Sequence, residues 1–304
     1  MTKTANSTQA LAPGSLRPQR RGEPRGGGPS RRLGPSRRGG RLSRVLVFCA
    51  LAIVIIPLLV LIIWSCAERW PWPHLLPESY TARALLDVLA PHSQALSVLV
   101  SSVALSAAVA LCSVAISLPA ARALALRRFR GQGLLRFAVF LPVIVPATAF
   151  AMGIHPLFVQ IGLRDSLLGV LIVHVILCLP YTVRILTDVC EATGEHLEAQ
   201  ARLLGASPLK TFLHVTLPMA APGLISSLCM AFIVSFSQYF ATMLIGGGRV
   251  VTFALFLFPY ISGGDRTVAA AYSLLFVLAS LLVFVLFDWL VRRYYRIDDV
   301  TFYG

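Results

Sequence analysis

Residues 197–218 read LEAQARLLGASPLKTFLHVTLP, a long polar segment between apolar stretches of the chain. A short amphipathic helix is predicted at its start by apolar residues at helical spacing, namely Leu197, Ala201 and Leu204. Gly205 follows, and a glycine commonly ends a helix because it tolerates a positive φ. Ser207 and Pro208 then favour a new helix, since serine caps a helix N-terminus and proline suits the first helical position. The segment therefore predicts two short helices bent about Gly205.

The second predicted helix has an apolar side of its own, formed by Leu209, Phe212, Leu213 and Leu217. Pro218 is predicted to end this helix, and Pro222-Gly223 to form the turn before the next apolar span. Both helices would then expose apolar patches on a loop that faces water. Such patches commonly mark a surface that binds a partner.

This segment resembles the coupling loop, or EAA loop, of permease subunits in binding-protein-dependent ABC importers. In that family a Glu-Ala-Ala triplet is followed by a glycine and then by an aliphatic-x-Leu-Pro motif. The matching positions here are Ala201, Gly205, Ala206, Phe212, Val215, Leu217, Pro218, Pro222 and Gly223. The glutamate departs from the pattern, because Ala199 stands at the family's position and Glu198 lies one residue earlier, about 100° around a helix. An ordinary helix–turn–helix between two spans is the alternative interpretation.

The composition indicates a membrane protein with several spans. Hydrophobic residues make up 57% of the 304 residues and charged residues 13%, with a mean hydropathy of +0.76, whereas a soluble domain carries about 25% charged residues. A span needs about 20 residues. We therefore predict an all-α integral membrane protein with about six transmembrane helices. The family resemblance implies in addition a cytoplasmic coupling loop at 191–223 and a fold like that of a type I ABC importer permease. The predicted spans are 45–65, 95–120, 137–158, 167–187, 224–245 and 268–290.

The basic residues predict the orientation of these spans. Residues 1–44 hold eleven Lys and Arg against one acidic residue, Glu23, and without apolar periodicity they are predicted to be a disordered tail. Residues 45–296 would form the permease domain and 297–304 a short C-terminal tail. Of the 27 Lys and Arg, 22 lie on the side of the two tails and the coupling loop. The positive-inside rule therefore predicts a multi-pass inner-membrane protein with both termini in the cytosol.

The basic tail leaves a further alternative, a membrane anchor or sensor whose tail binds nucleic acid or anionic lipid. The simpler interpretation is a solvated tail whose charge holds that end inside. A nucleic-acid partner is therefore not predicted.

Few ionisable residues lie inside the predicted spans, although ion-coupled transport requires them. His174 in the fourth span and His155 near the outer end of the third are the candidates for a proton relay, and an ion-coupled secondary transporter is the alternative function. A lone histidine is more often a neutral packing residue. Neither a catalytic constellation nor a G-x-x-x-x-G-K-[ST] phosphate loop occurs in the sequence. The chain is therefore predicted not to be an enzyme, and another protein must drive solute movement.

The six cysteines lie mostly in or beside apolar spans and form no C-x-x-C pair or zinc spacing. They are predicted to be reduced and buried, and neither a metal nor a cofactor is expected. The residues are Cys49, Cys66, Cys112, Cys178, Cys190 and Cys229.

Polar residues interrupt the predicted fifth span at Ser235, Ser237 and Gln238. Polar side chains at membrane depth usually face the interior of a helical bundle, so these three are predicted to line the translocation path. The stretch 235–249 loosely resembles permeases of polyamine, thiamine, iron or sulfate-type systems.

The family resemblance implies several partners. An ATPase pair would grip the coupling loop, and an extracytoplasmic solute-binding protein would deliver solute. A second permease subunit, identical or homologous, is implied because this chain has one coupling loop; membrane lipid surrounds the bundle. The residues assigned to ATPase coupling are Glu198, Ala199, Ala201, Gly205, Ala206, Phe212, Leu217 and Pro218.

Overall fold

The computed structural model describes residues 37–301, apart from 72, 75 and 91–92. The chain divides into two compact units, Met1–Ile53 and Val54–Gly304. Its first helix, α1 (Arg37–Ser65), begins inside the stretch predicted as a disordered tail. Residues 1–36 of that predicted tail lie outside the described residues. Residues 37–44 are helical instead, because a helix already nucleated by an apolar span gains one hydrogen bond for each residue added.

The other elements follow in chain order. Before the second helix, β1 (Ala67–Arg69) pairs antiparallel with β2 (Ser79–Tyr80) in a short hairpin. The remaining helices are α2 (Arg83–Leu89), α3 (Gln94–Leu126), α4 (Gln132–Ile144), α5 (Ala147–Gln160), α6 (Leu167–Thr193), α7 (His196–Leu203), α8 (Pro208–Thr211), a π-helical segment (Phe212–Thr216), α9 (Leu217–Phe236), α10 (Phe240–Gly246), α11 (Phe253–Ser262) and α12 (Arg266–Thr301).

Across the described part of the chain, five helices are long and apolar enough to cross a membrane, and the bent pair α4–α5 makes a sixth if it counts as one span. The prediction of an all-α membrane protein with about six spans is confirmed. Several helices extend beyond the predicted bounds, since α3 ends at Leu126, α6 at Thr193 and α12 at Thr301. The segment 297–301, predicted as part of a tail, is thus a continuation of α12.

Helices α3, α6 and α9 pack against one another at the centre of the second unit. Val109, Val173 and Ala231, one from each helix, are completely buried. The hydroxyls of Ser117 in α3 and Thr182 in α6 lie 2.6 Å apart and add a polar tie between two of these helices. Buried side chains of small volume let membrane helices approach closely. The segment between α6 and α9 therefore begins and ends at this three-helix centre.

The predicted third span, 137–158, is wrong as one continuous helix. α4 and α5 are bent by 110° about a break at Val145 and Pro146. Val145 has φ −86° and ψ 133°, an extended conformation. A proline disfavours the helical conformation of the residue before it, because its ring meets that residue's backbone and Cβ. Pro146 therefore breaks the helix and starts α5.

The predicted fifth span, 224–245, has the wrong bounds, and Pro218 does not end a helix. The chain is helical from Pro208 to Phe236. The π-helical segment explains this, since the N–H of Leu217 donates to the carbonyl of Phe212, five residues back. Pro218 has no N–H to donate to the carbonyl four residues back, and its ring crowds that carbonyl. The wider π turn before it makes room for the ring, so the helix continues.

Pro222-Gly223 likewise forms no turn, and both residues lie inside α9. A Cβ on Gly223 would meet the Val189 side chain of α6, at 2.6 Å from one of its methyl carbons. This glycine therefore serves close helix packing. At its other end α9 stops at Phe236, and the chain turns before α10.

The turn after α10 packs against the turn before α6, and it supports a stability prediction. Gly247 has φ +52°, and a Cβ there would overlap the carboxylate of Asp165. Gly247→Ala should cost about 1–3 kcal/mol of stability, because the left-handed conformation disfavours alanine and Asp165 must move. Thermal unfolding of the detergent-purified protein measures this.

The matched control is Gly248→Ala. Gly248 also has a positive φ, +80°, but no atom lies within 4 Å of the added Cβ. Equal losses of stability in the two variants would mean that the contact with Asp165 contributes nothing.

Candidate functional site

The segment 191–223, called the coupling segment below, has the predicted bent form. α7 ends at Leu203 and Gly205 has φ +86°, which confirms the break at this glycine. The N–H of Gly205 donates to the carbonyl of Arg202, and the N–H of Ala206 to that of Ala201, each at 3.0 Å. These two bonds form a Schellman motif, which satisfies the last carbonyls of the helix.

The second helix begins as its sequence predicts. Ser207 is extended, and its Oγ accepts a hydrogen bond from the N–H of Lys210 at 3.4 Å, with Pro208 at the first helical position. Because these interactions join residues at most three apart, they depend on the local sequence alone. α8 and the π-helical segment then lead directly into α9.

The bend exposes a group of leucines, called the leucine patch below, which consists of Leu203, Leu204, Leu209 and Leu213. Leu203 is 87% exposed and Leu204 90% exposed, directly before Gly205. Leu209 is 67% exposed and Leu213 46%. Four large apolar side chains on one segment outside the helical centre form a surface suited to a protein partner.

Glu198 points away from the leucine patch, into the protein. The residue is 8% exposed, and its carboxylate accepts three hydrogen bonds. Arg122 of α3 donates from Nη1 to Oε1 at 2.7 Å and from Nη2 to Oε2 at 3.0 Å. Thr216 donates from Oγ1 to Oε1 at 2.6 Å, and Nη2 of Arg202 lies 3.9 Å from Oε2. The carboxylate therefore joins three elements: α3, α7 and the π-helical segment.

Phe212 is half-buried beside this ion pair. The guanidinium carbon of Arg122 lies 5.8 Å from the centre of its ring, within the range of a cation–π contact. The ring thus faces an internal partner in the structure. The remaining predicted coupling residues divide by exposure: Ala201, Ala206 and Leu217 are half-buried, whereas Ala199, Gly205 and Pro218 are exposed.

Arg122 is a site residue that sequence reasoning missed. It counted only as one of several basic residues after the second span, and 76 positions separate it from Glu198. No motif relates the two positions, so only the packing of α7 beneath the end of α3 identifies the pair.

The pKa of Glu198 lies below its ordinary value of 4.5, because Arg122 hydrogen-bonds the ionised carboxylate; Thr216 adds to the effect and burial opposes it. A lowered folded-state pKa contributes stability above the unfolded value, and that stability is lost as the pH falls through the folded pKa.

The melting temperature of wild type should therefore exceed that of Glu198→Gln by a constant amount above about pH 5, and the difference between them should shrink below pH 4.5.

Glu195→Gln is the control for this pH series. Glu195 is exposed, and its carboxylate lies 3.9 Å from Arg127. Exposed pairs of this kind contribute about 0–1 kcal/mol. A difference in melting temperature between wild type and Glu198→Gln that does not change between pH 7 and pH 3.5 would contradict the stated role of the ionised carboxylate.

Comparison with known proteins agrees with this geometry. Residues 113–296, more than half of the chain, match the family of binding-protein-dependent transport system inner membrane components. The chain belongs to this family. It is a permease of the binding-protein-dependent ABC importer type and a multi-pass inner-membrane protein, as the coupling-loop resemblance predicted.

This permease is similar in sequence to transport permeases from several other organisms. A Salmonella typhi protein, provisionally named the 2-aminoethylphosphonate transport permease PhnV, is 26% identical over 258 residues, which cover 84% of this chain and 97% of the relative. The molybdate/tungstate permease WtpB of Pyrococcus abyssi is 26% identical over 64% of this chain and 77% of its own. The spermidine/putrescine permease PotC of Haemophilus influenzae is 27% identical over 55% of this chain and 65% of its own.

A solved structure shares the fold of this permease. The crystal structure of a bacterial ABC transporter involved in the import of the acidic polysaccharide alginate contains a chain with a TM-score of 0.64 and 20% identity. The match covers 83% of this permease and 96% of that chain. The type I importer permease fold is therefore confirmed.

The predicted path residues separate in the permease structure. Ser235 is 1% exposed and lies in the core, Ser237 is exposed, and Gln238 is half-buried at the turn after α9. Ser235 faces His174 of α6, with Oγ 3.0 Å from Nδ1, and it also reaches Ser106 of α3 at 3.4 Å. A role of these residues in the translocation path stays a prediction.

His174 is a second residue whose role the sequence left open. It is completely buried, and its Nε2 lies 2.9 Å from Oγ1 of Thr242 in α10. Thr242 also donates from Oγ1 to the carbonyl of Gln238, which lies in the turn between α9 and α10. The imidazole thus ties α6 to both sides of the break between α9 and α10.

Among the described residues, no group of three or more His, Cys, Asp or Glu side chains could hold a metal ion. The six cysteines are free. Cys178 and Cys190 are buried as predicted, whereas Cys49 is exposed. The prediction of burial is wrong for Cys49 because α1 presents its apolar side chains outward, as expected of a helix that faces lipid.

Proposed function

We propose that this permease subunit forms part of a solute path and that a separate ATPase subunit drives it through the leucine patch. The patch is the observation that carries the proposal. Leu203 and Leu204 are almost fully exposed on a polar segment, outside every helix long enough to span the membrane. Because Leu203 and Leu204 lie on a polar segment between spans, a protein partner rather than lipid is the chemistry that fits them; Leu209 and Leu213 lie in the first two turns of the helix Pro208–Phe236 that follows.

The charge distribution supports an orientation with the coupling segment in the cytosol. The basic residues concentrate in residues 1–44, between α3 and α4, and at the C-terminal end of α12, and the number of spans between them puts these segments on the same side as the coupling segment. An ATPase that uses cytosolic ATP would therefore meet the leucine patch. In a variant whose six native cysteines are replaced by serine, a membrane-impermeant maleimide should label Leu204→Cys in inside-out vesicles and fail to label it in right-side-out spheroplasts.

Two further partners belong to the proposal. The chain carries one coupling segment, so a second permease subunit, identical or homologous, would complete the path. An extracytoplasmic binding protein would deliver solute on the opposite side, as the family's description implies. The relatives are named for a phosphonate, for oxyanions and for cationic polyamines. Because these solutes differ in the sign of their charge, membership of the family assigns no solute to this chain.

Purification from native membranes tests the proposal. The tagged chain, extracted in detergent and placed in lipid nanodiscs, should retain an ATP-hydrolysing subunit. A tagged multi-span protein of another family, purified in parallel, is the control. ATP hydrolysis no higher than in the control would contradict the proposal, as would solute pumping by the purified chain with no second protein present.

The ion-coupled alternative receives no support from His174. Both of its ring nitrogens have hydrogen-bond partners, and the side chain is completely buried. A proton relay needs a nitrogen that can exchange its proton along a wet path. Structural packing explains this histidine without any further role.

A further inference from the structure

The carboxylate of Glu198 lies where the coupling segment meets the helical bundle. The leucine patch begins five residues after it, at Leu203, on the same short helix. Arg122 belongs to α3, a helix of 33 residues that packs against both α6 and α9. A force applied to the patch can therefore reach α3 directly through this ion pair, in addition to passing along the backbone through α8 and α9.

This contact differs from the other ion pairs between the coupling segment and the rest of the chain. The side chains of Arg122 and Glu198 are 23% and 10% exposed, and two hydrogen bonds join them. The pair Arg127–Glu195 is 72% and 52% exposed at 3.9 Å. A two-bond, partly buried arginine–carboxylate pair is directional and strong, whereas an exposed pair contributes little.

The position of the glutamate fits an internal role. Ala199, which stands where the family usually has its glutamate, is exposed. One residue earlier is about 100° around the helix, and at this position the side chain points inward to Arg122 and Thr216. The carboxylate is thus occupied within the chain, while the outer surface of α7 carries alanine at the family's position.

We propose that Arg122 and Glu198 are positioning residues that make α3 move together with the coupling segment when an ATPase acts on the leucine patch. This inference rests on the function proposed above. Thr216 extends the same connection to the start of α9, because it donates to the carboxylate oxygen that Arg122 Nη1 also contacts. The carboxylate thus joins α3 to the π-helical segment that runs directly into α9.

Hydrogen–deuterium exchange on the purified complex tests the connection. Exchange is compared with and without ATP and vanadate, in wild type, Arg122→Gln, Glu198→Gln and the charge-swapped double variant Arg122→Glu/Glu198→Arg. In wild type, ATP should change exchange in the C-terminal part of α3. Each single variant should lose that response while the ATPase subunit stays bound, and α7 amides should exchange roughly thirtyfold faster through loss of the charged hydrogen bonds. The double variant should recover at least half of the response.

Arg127→Gln is the matched control, since it removes a neighbouring arginine from an exposed pair, and it should behave as wild type. A full α3 response in either single variant would overturn the proposal. So would a double variant that fails to recover the response, whether or not the single variants retain the ATPase. Wild-type protein that carries no ATPase would instead contradict the proposed function; faster α7 exchange in the single variants and its recovery in the double variant would then still report the ion pair.

Discussion

Replacing Leu203 and Leu204 together by aspartate should release the ATPase subunit while the permease still inserts and folds. Both side chains are at least 87% exposed, so their loss removes little packing within the chain. Burying a leucine at an interface contributes about 1.5–3 kcal/mol. Two such losses, with two carboxylates left to desolvate, should weaken binding at least a hundredfold. The measurement is the molar ratio of ATPase to permease after affinity purification.

Gln200→Asp is the matched control for this double variant. Gln200 is exposed on the same helix but does not belong to the leucine patch, so the control adds a carboxylate without removing apolar surface. It should keep the ATPase at the wild-type ratio. Unchanged retention in the double leucine variant, with normal membrane insertion, would mean that the docking surface lies elsewhere.

Replacing His174 by alanine should destabilise the permease by about 3 kcal/mol, through the cavity and the loss of two buried hydrogen bonds. The imidazole joins Ser235 of α9 and Thr242 of α10, so the loss should loosen the break between those helices. Thermal unfolding in detergent measures the total effect. His174→Gln should recover part of it, because an amide can both donate and accept.

His155→Ala is the control, since His155 is half-buried in α5, and its loss of stability should stay below about 1 kcal/mol.

The same histidine positions also test the ion-coupled alternative. If the double His155/His174 variant folds but loses uptake only when a proton gradient is the sole driver, the alternative function is correct and the structural role of His174 is incomplete.

Several features of the candidate site could be predicted from the residues alone, because they depend on neighbours in the chain. Gly205 ends α7 with a positive φ, and Ser207 with Pro208 starts α8, each through contacts within a few residues. Pro146 also acts locally, but its effect on the third span was not predicted. A proline in an apolar stretch allows either a kinked span or a break, and the packing of neighbouring helices decides between them.

The predictions were wrong where the conformation around a residue depends on a distant contact or on an unusual backbone geometry. Pro218 continues a helix because a π turn precedes it, and Gly223 packs against Val189 rather than forming a turn. Glu198 was assigned to ATPase coupling by its place in a motif, a role that stays a prediction, but the direction of its side chain was not predicted. Its direction around α7 turns it inward, toward Arg122.

The sequence by itself determined that this chain is a membrane protein with about six spans, and which residues form its bent coupling segment. Hydrophobicity, charge and capping act over one helix or less, so they can be read from neighbouring residues. Only the tertiary structure decided that Arg122 meets Glu198 and that His174 meets Ser235 and Thr242. These partners are 61 to 76 residues apart, and helix packing alone brings them together.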